Sequence, residues 1–161
     1  MSVTPIDLQA YLAVHDLLVE EIEGLTDEQL HWKPAPDKWS VLEVLTHLTD
    51  HNIVVTFRIR ELLANSTAAL PAFSQDDWVS GQHANAAEVS ELLFFFRQLL
   101  IYNHRLFSRL DAADWQKSGL NFKGQVVSVA DVVQAFINHA IGHLAQIKRN
   151  KDAVRGLHTS D

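Results

Sequence analysis

The stretch SVLEVLTHLTDHNIVVTFRIRELLA, residues 40–64, has the apolar spacing of an amphipathic helix. Its first residues match a capping box, in which the Ser40 hydroxyl accepts a hydrogen bond from the Glu43 amide and the Glu43 carboxylate accepts one from the Ser40 amide. At ~100° per residue, one face carries these apolar side chains: Val41, Val44, Leu48, Val55 and Leu62. We predict a helix from Ser40 to about Ala64 that packs this face into a core.

Three further segments show the same periodicity, at residues 5–24, 86–110 and 128–149. Pro5 suits a first helical turn, and Ser128 with Asp131 repeats the capping logic at the last segment. Their predicted core positions are Leu8, Leu12, Leu18 and Ile22; Val89, Leu92, Phe96, Leu99, Leu106 and Leu110; and Val129, Val132, Phe136, Ala140 and Ile147. Strand signals are confined to a candidate hairpin in FKGQVVS, residues 122–128. The pattern predicts an all-α four-helix bundle with residues 1–161 as one domain.

The connection between the second and third helices, NSTAALPAFSQDDWVSGQHA at residues 65–84, exceeds the ~2–8 residues that join adjacent antiparallel helices. We therefore expect a crossover connection. Trp78 within it is expected to pack the loop onto the body or to cover a pocket, and Trp39 to anchor the N-terminus of the second helix. In the run FFF at residues 94–96 we expect core positions and one interface position, and an exposed member would indicate a dimer.

Charge and composition exclude several function classes. The formal net charge of −7 disfavours nucleic-acid binding, which depends on Lys and Arg neutralising phosphates. No apolar run approaches the ~20 residues of a membrane-spanning helix, and MSVTPIDLQAY lacks the pattern of a secretory signal, so we expect a cytoplasmic protein with no membrane partner. With no cysteine, any metal site must use imidazole, carboxylate or backbone oxygen ligands.

Two H-x-x-x-H pairs lie on the second and fourth helices. His139 and His143 project at the edge and inside of the apolar sector of the fourth helix, and a spacing of four residues lets both reach one ion. On the second helix His51 lies within the apolar sector and His47 at its margin. A third imidazole from the facing helix would complete a three-histidine site, while hydrogen bonding within the core is the alternative for such pairs. No comparable geometry is predicted for the other five histidines: His15, His31, His83, His104 and His158.

The segments LTDEQLHWKPAPDKWSVLEVLTHLTDH and NHAIGHLAQIKR, at residues 25–51 and 138–149, resemble the DinB-like (DinB/YfiT) superfamily of metal-dependent enzymes. The resemblance rests on Trp39 before the second helix, His47 eight residues later in THL, and the pair His139 and His143. It covers nearly the whole chain in helix number, helix length and the long second connection. Many relatives have H-x-x-H-H-R-G-Q where this chain has H-A-I-G-H-L-A-Q, so Gln146 is shared but the intervening residues differ.

The resemblance implies an up-down-down-up bundle in which His47, His139 and His143 bind a divalent metal, reported as nickel, zinc or iron in family members. It selects His47 over His51 as third ligand, and leaves His51 to hydrogen-bond a water at the metal or to act as a proton shuttle. Characterised relatives include transferases that activate a low-molecular-weight thiol at the metal, and a homodimer is the expected assembly. We expect His139→Ala to abolish metal binding and His158→Ala to leave it intact.

Three functions follow as hypotheses. The first is an enzyme with a small-molecule substrate, either a thiol-dependent S-transferase or a metal-dependent hydrolase. The second is a non-catalytic ligand-binding or regulatory bundle with a structural or vestigial metal site, since no carboxylate stands where H-E-x-x-H zinc proteases have their Glu. The third, a di-iron carboxylate bundle, requires repeated Glu-x-x-His motifs that this chain lacks.

Overall fold

The computed structural model describes residues 4–157. The elements are α1 (Leu8–Ile22), α2 (Asp27–His31), α3 (Val41–Leu63), α4 (Gln75–Gly81), a 3₁₀ turn (Ala84–Ala86), α5 (Val89–Phe107), α6 (Ala112–Gln116), β1 (Ser118–Leu120), β2 (Val126–Ser128) and α7 (Val129–Leu157). The long helices α1, α3, α5 and α7 confirm the predicted four-helix bundle. Within the described range, no helix combines the length and apolarity needed to cross a bilayer.

Two predicted helix ends are wrong. Pro5 precedes α1 rather than opening it, because the Asp7 carboxylate accepts hydrogen bonds from the Gln9 and Ala10 amides and makes Asp7 the N-cap. The last helix continues beyond Arg149 to Leu157. Contacts with α1 account for the extra turns, since the Lys151 ammonium lies 2.8 Å from a Glu21 carboxylate oxygen. The apolar periodicity of a single helix does not indicate such a contact with another helix.

Both predicted capping boxes are present. The Glu43 amide donates to the Ser40 hydroxyl and the Ser40 amide donates to the Glu43 carboxylate, each at 3.0 Å. At the start of α7, the Asp131 amide donates to Ser128 Oγ at 3.0 Å and the Ser128 amide donates to Asp131 at 2.8 Å. These bonds satisfy helix-end amides and fix where α3 and α7 begin.

The bundle places α1 and α3 at opposite corners, since each packs against both α5 and α7. Near the start of α1, the Tyr11 ring lies 5.1 Å from that of Phe107 at the end of α5 and 5.4 Å from that of Phe136 near the start of α7. At the other end of α1, the Lys151 ammonium donates to the Glu21 carbonyl at 2.8 Å. Therefore α1 runs parallel to α7 and antiparallel to α5.

Hydrogen bonds at the two ends of α3 set its direction. Asn103, near the end of α5, donates to Thr56 Oγ1 in the second half of α3 at 2.8 Å. Asn150, near the end of α7, donates to the Trp39 carbonyl just before α3 at 2.8 Å. Thus α3 is parallel to α5 and antiparallel to α7, which confirms the up-down-down-up order. Because α3 and α5 are parallel, the chain between them must return along the bundle, which explains the long connection.

The buried faces agree with prediction for α3 and only in part for α1 and α5. All five predicted positions of α3 are buried. On α1 the fully buried side chains are Tyr11, Val14 and Leu18, and on α5 they are Phe96, Leu100, Asn103 and Phe107. The remaining positions predicted on these two helices are only partly buried. The wheel omitted Asn103 as polar, yet it donates to the Tyr11 hydroxyl and accepts from Arg60 inside the bundle.

The connections on either side of α5 meet at a small hairpin. Strands β1 and β2 pair antiparallel from Ser118↔Ser128 to Leu120↔Val126, so the candidate hairpin is real, with Gly124 at φ +74° in its turn. The Leu70 amide donates to the Leu120 carbonyl at 2.8 Å and ties the α3–α5 connection to the hairpin. Both segments therefore lie over the same side of α3 and α7.

The phenylalanine run has one buried member and two exposed ones. Phe96 is in the core, whereas Phe94 and Phe95 are 67% and 43% exposed. The core position is confirmed, and the interface position stays a prediction. An exposed aromatic pair on α5 is consistent with a partner surface, and the homodimer stays a prediction.

Candidate metal centre

Three imidazoles from α3 and α7 converge on one point. His139 Nε2 lies 3.2 Å from His47 Nε2 and 3.0 Å from His143 Nε2. One nitrogen from each ring lies within 4.8 Å of the others, the only such cluster of potential ligands in residues 4–157. Because α3 packs antiparallel on α7, His47 becomes the third imidazole beside the pair His139 and His143. These are the three residues that the family resemblance selected.

His51 lies beside this cluster rather than in it. Its ring centroid is 4.0 Å from that of His139, and its ring stacks parallel to that of Phe136 at 5.9 Å. The helical wheel placed His51 nearer the apolar centre than His47, but the structure reverses that order: His47 is 1% exposed and His51 is half-buried. Rings from outside the four long helices cover His47, and a wheel of α3 alone cannot show them.

The two short nitrogen–nitrogen distances, from His139 to His47 and to His143, fit a divalent ion. Two nitrogens at ~2.0–2.1 Å from one ion are separated by about 2.9–3.4 Å when the angle between their bonds is about 90–110°. Without an ion, a hydrogen on His139 Nε2 can be directed at only one of its two neighbouring nitrogens, so the other close contact is not a good hydrogen bond. A cation at the shared point would satisfy all three.

One ligand has a hydrogen-bonded partner that orients it. Gln146 Oε1 lies 2.7 Å from His143 Nδ1, and because an amide oxygen only accepts, Nδ1 carries the hydrogen and Nε2 presents its lone pair to the cluster. In the described part of the chain, His47 Nδ1 and His139 Nδ1 are buried without a hydrogen-bond partner. The orientation of these two rings therefore depends on packing.

The cluster is neutral at pH 7. Burial, assisted by the neighbouring imidazoles, lowers the pKa of His47 to about 3 and that of His139 to about 4. Burial also lowers the pKa of His143, although its hydrogen bond to Gln146 opposes the shift. Metal ligation requires unprotonated imidazole, so the site needs no deprotonation to bind an ion at neutral pH.

Aromatic rings enclose the cluster. The Trp39 ring centroid lies 5.0 Å from that of His47 and 6.5 Å from that of His143, so Trp39 packs on two candidate ligands as well as anchoring α3. Phe73, in the α3–α5 connection, stacks on His47 at 6.1 Å and meets Trp78 edge-on at 5.0 Å. Sequence reasoning missed Phe73, because its only signal was a position in a long loop that also contains Trp78.

Cavities reach the cluster from two sides. One of about 250 Å³ is lined by His47, His51, His139, Phe73 and Phe122, among others. Another of about 230 Å³ lies on the far side, against Trp39, His143 and Gln146. The imidazoles are thus close to space that a small molecule can enter, as expected for a binding or catalytic site.

The remaining histidines of residues 4–157 do not join the site. His31 Nδ1 donates to the Asp27 carbonyl at 2.7 Å, and His15 Nδ1 lies 3.0 Å from an Asp16 carboxylate oxygen. His83 is exposed with φ +53°, and His104 is half-buried on α5. His158 lies outside the described residues, so its predicted role as a neutral control stays a prediction.

We expect Gln146→Leu to weaken zinc binding by about 10–100-fold, the usual cost of removing a hydrogen bond that orients a ligand. The change keeps a side chain of similar size but removes the acceptor of His143 Nδ1–H. Gln134→Leu is the matched control, because Gln134 lies exposed on the same helix and bonds only Asn138 among the described side chains. Competition with a chromophoric chelator measures both affinities, and equal values for the two variants would contradict the assignment.

Comparison with known proteins places the chain in a family. The DinB superfamily matches residues 10–147. The chain belongs to the DinB superfamily. YfiT from Bacillus subtilis, described as "a probable metal-dependent hydrolase with an unusual four-helix bundle topology", superposes with a TM-score of 0.84 at 20% identity, over 91% of this chain and 85% of YfiT. That similarity supports the four-helix bundle fold.

Two sequence relatives carry the name "Putative metal-dependent hydrolase". The protein from Oceanobacillus iheyensis is 25% identical over 134 residues, which are 81% of this chain and 75% of that protein. The protein from Geobacillus thermodenitrificans is 26% identical over 102 residues, which are 63% of this chain and 57% of the relative. The matched part of the second relative is thus little more than half its length.

Proposed function

We propose that this DinB superfamily protein is a metal-dependent hydrolase that holds a divalent ion, zinc, nickel or iron, with His47, His139 and His143. The observation that carries the proposal is the convergence of three neutral imidazole nitrogens beside a cavity. The names of the two relatives support hydrolysis as the reaction class. The three ligands bring no charge, so a bound ion would keep its full positive charge and supply Lewis acidity that lowers the pKa of a water or thiol.

The residues around the three imidazoles orient the candidate ligands and restrict the access of water to them. Gln146 fixes the tautomer of His143, and Trp39 and Phe73 pack on His47 and limit the access of water from either side. His51 lines two of the neighbouring cavities. Burial lowers the pKa of His51 to about 2, so its ring is neutral at pH 7 and suited to hydrogen-bond a reacting group rather than to act as a strong base.

A thiol-dependent S-transferase is the second reaction that we propose to test. Its support is chemical: an ion that lowers the pKa of water also favours a thiolate near neutral pH, and the site needs no protein cysteine. A water nucleophile gives a hydrolase and a small thiol gives a transferase at the same three imidazoles. Substrate assays separate these two outcomes.

The test is elemental analysis of freshly purified protein followed by assays of the zinc-, nickel- and iron-loaded forms. The substrates are nitrophenyl esters and nitroanilides in one panel, and low-molecular-weight thiols with an electrophilic acceptor in another. We expect about one ion per chain and turnover that a chelator removes and the metal restores. A protein that binds none of the three metals at micromolar concentration would exclude the proposal, and a loaded protein inactive on both panels would favour the non-catalytic module.

Replacing His51 should change turnover without changing metal binding. His51→Gln should retain one ion per chain but lower kcat by about tenfold or more, because an amide cannot take up and release a proton as an imidazole can, while all three candidate ligands remain. His104→Gln, on α5 and away from the cavities around the cluster, should change neither value. Metal content and kcat are measured on the same samples. Loss of the ion from His51→Gln would instead indicate that His51 supports His139 by packing.

A further inference from the structure

Arg58 lies on the same side of α3 as His51, two helical turns further along. It lines the 250 Å³ cavity beside His47 and His139, and also a second cavity of about 140 Å³. His51 and Phe122 border both cavities as well, so the two spaces adjoin at these side chains. A guanidinium group therefore borders the space in front of the candidate metal centre.

Within the described part of the chain, the Arg58 guanidinium has no anionic partner. Its Nη2 donates to the Pro71 carbonyl at 2.7 Å, while its Nε is buried and has no acceptor among residues 4–157. No carboxylate in that range lies within 4.0 Å of it. Asp131 borders the smaller cavity, but it is exposed and its carboxylate accepts from the Ser128 amide at 2.8 Å.

An unpaired arginine in such a place has a free-energy cost. The Arg58 side chain is half-buried, and burial lowers its pKa below the usual range, but an arginine keeps its charge at neutral pH. Desolvating a cation without a counter-ion destabilises the fold, and for that reason buried arginines are normally paired. An anionic ligand would supply the missing counter-ion.

Most of the smaller cavity is apolar. Its walls include Val55, Leu70, Val127 and Phe136, with Phe122 at the border; the polar side chains besides Arg58 are His51, Asn121 and Asp131. The Asp131 carboxylate accepts from the Ser128 amide, so Arg58 is the charged group left to a ligand. A cavity with one cation and mostly apolar walls fits a ligand that has an anionic group on a compact apolar body. Arginine binds carboxylate and phosphate groups through several parallel hydrogen bonds, and these are the two anions to consider.

We propose that Arg58 binds the anionic group of the substrate and that the enzyme therefore acts on small carboxylates or phosphate monoesters with an apolar body. The inference rests on the proposed function only in placing the reacting bond at His47, His139 and His143. Arg58 is then a specificity-determining residue, and neutral analogues bind weakly. A purely structural role is the competing explanation, in which Arg58 only holds the Pro71 carbonyl and, through it, the loop that carries Phe73.

Calorimetric titration separates these explanations. Benzoate, phenyl phosphate and the neutral analogue benzamide are titrated into the zinc-loaded full-length protein and into the chelator-treated protein. The variants are Arg58→Gln, Arg58→Lys as the charge-conserving rescue, and Arg97→Gln as the control. Arg97 is exposed on α5, so its variant has the same net charge as Arg58→Gln.

We expect benzoate or phenyl phosphate to bind the wild-type protein and to bind Arg58→Gln at least about tenfold more weakly, with Arg58→Lys in between and Arg97→Gln unchanged. Whichever of the two anions binds more tightly identifies the substrate class. Benzamide should bind weakly to all four proteins. If Arg58→Gln weakens the anions and benzamide by the same factor, or if the wild-type protein binds neither anion, the inference is overturned.

The two proposals can fail separately. Arg58-dependent benzoate binding in chelator-treated protein that shows no metal-dependent turnover would support the anion site and exclude the hydrolase. Metal-dependent turnover with equal KM values for anionic and neutral esters in wild-type and Arg58→Gln proteins would support the hydrolase and exclude the anion site.

Discussion

Replacing His139 by alanine is expected to lower zinc affinity by at least about a hundredfold, beyond the range that loss of an orienting hydrogen bond produces. His139 is the middle member of the cluster, since its Nε2 lies 3.2 Å from that of His47 and 3.0 Å from that of His143. Without it, His47 and His143 come from different helices with no donor between them. A zinc site with two protein nitrogens is far weaker than one with three.

His104→Ala is the control for this experiment. His104 is half-buried on α5 and makes no contact with the cluster. Chelator competition gives the affinity, elemental analysis gives the stoichiometry, and far-UV circular dichroism shows whether each variant is folded. If folded His139→Ala still binds one zinc per chain with wild-type affinity, the metal centre lies elsewhere or does not exist. His139→Gln, with a side chain closer in volume, provides a second test should the alanine variant fail to fold.

The family pattern and the helical periodicity together located the three clustered histidines because both signals are local. The pair His139 and His143 depends only on a spacing of four residues, and the Ser40 capping box only on a spacing of three. The choice between His47 and His51 was not local. It depends on how α3 packs against α7 and on Trp39, which covers His47 from outside the long helices, and only the family resemblance indicated it from sequence.

Other features of the site required coordinates for a similar reason. An arginine on a helix is ordinarily solvated or paired, and nothing in the sequence around Arg58 shows that no carboxylate reaches it. Whether a carboxylate reaches Arg58 depends on all the segments that pack around it, including the loop with Pro71 and the β1–β2 hairpin. The polar core residue Asn103 was missed on the same grounds, because its acceptors and donors come from α1 and α3.

Acid is expected to destabilise the metal-free protein in a defined pH window. In the unfolded chain each histidine has a pKa near ~6.5, whereas in the folded protein the pKa is about 3 for His47, about 2 for His51 and about 4 for His139. Below pH ~6.5 the unfolded state therefore binds more protons than the folded state. The free energy of unfolding should fall as pH decreases from 6.5 towards 4, and the histidines should add no slope above about pH 7.5.

The expected slope is at least about 1.4 kcal/mol per pH unit, equivalent to one proton, after solvent screening of these partly accessible rings is allowed for. Asp50, whose pKa burial raises, gives a slope of the opposite sign close to that pKa. Urea unfolding at half-unit pH intervals measures the slope. His139→Gln should reduce it and His104→Gln should preserve it, whereas a flat profile between pH 5 and 7 would contradict the neutral cluster.

The same proton balance predicts how zinc binding depends on pH. Because His47 and His139 are already neutral in the folded protein, zinc displaces almost no proton from them, and its affinity should change by less than about tenfold between pH 7.5 and 5.5 while the protein is folded. An exposed cluster of three histidines with ordinary pKa values near ~6.5 would lose affinity steeply over this range, since each ligand must first release a proton. Burial thus makes the stability of the metal-free protein depend on pH, while the zinc affinity of the folded protein changes little with pH. Chelator competition at pH 7.5 and pH 5.5 distinguishes a buried neutral site from a surface site.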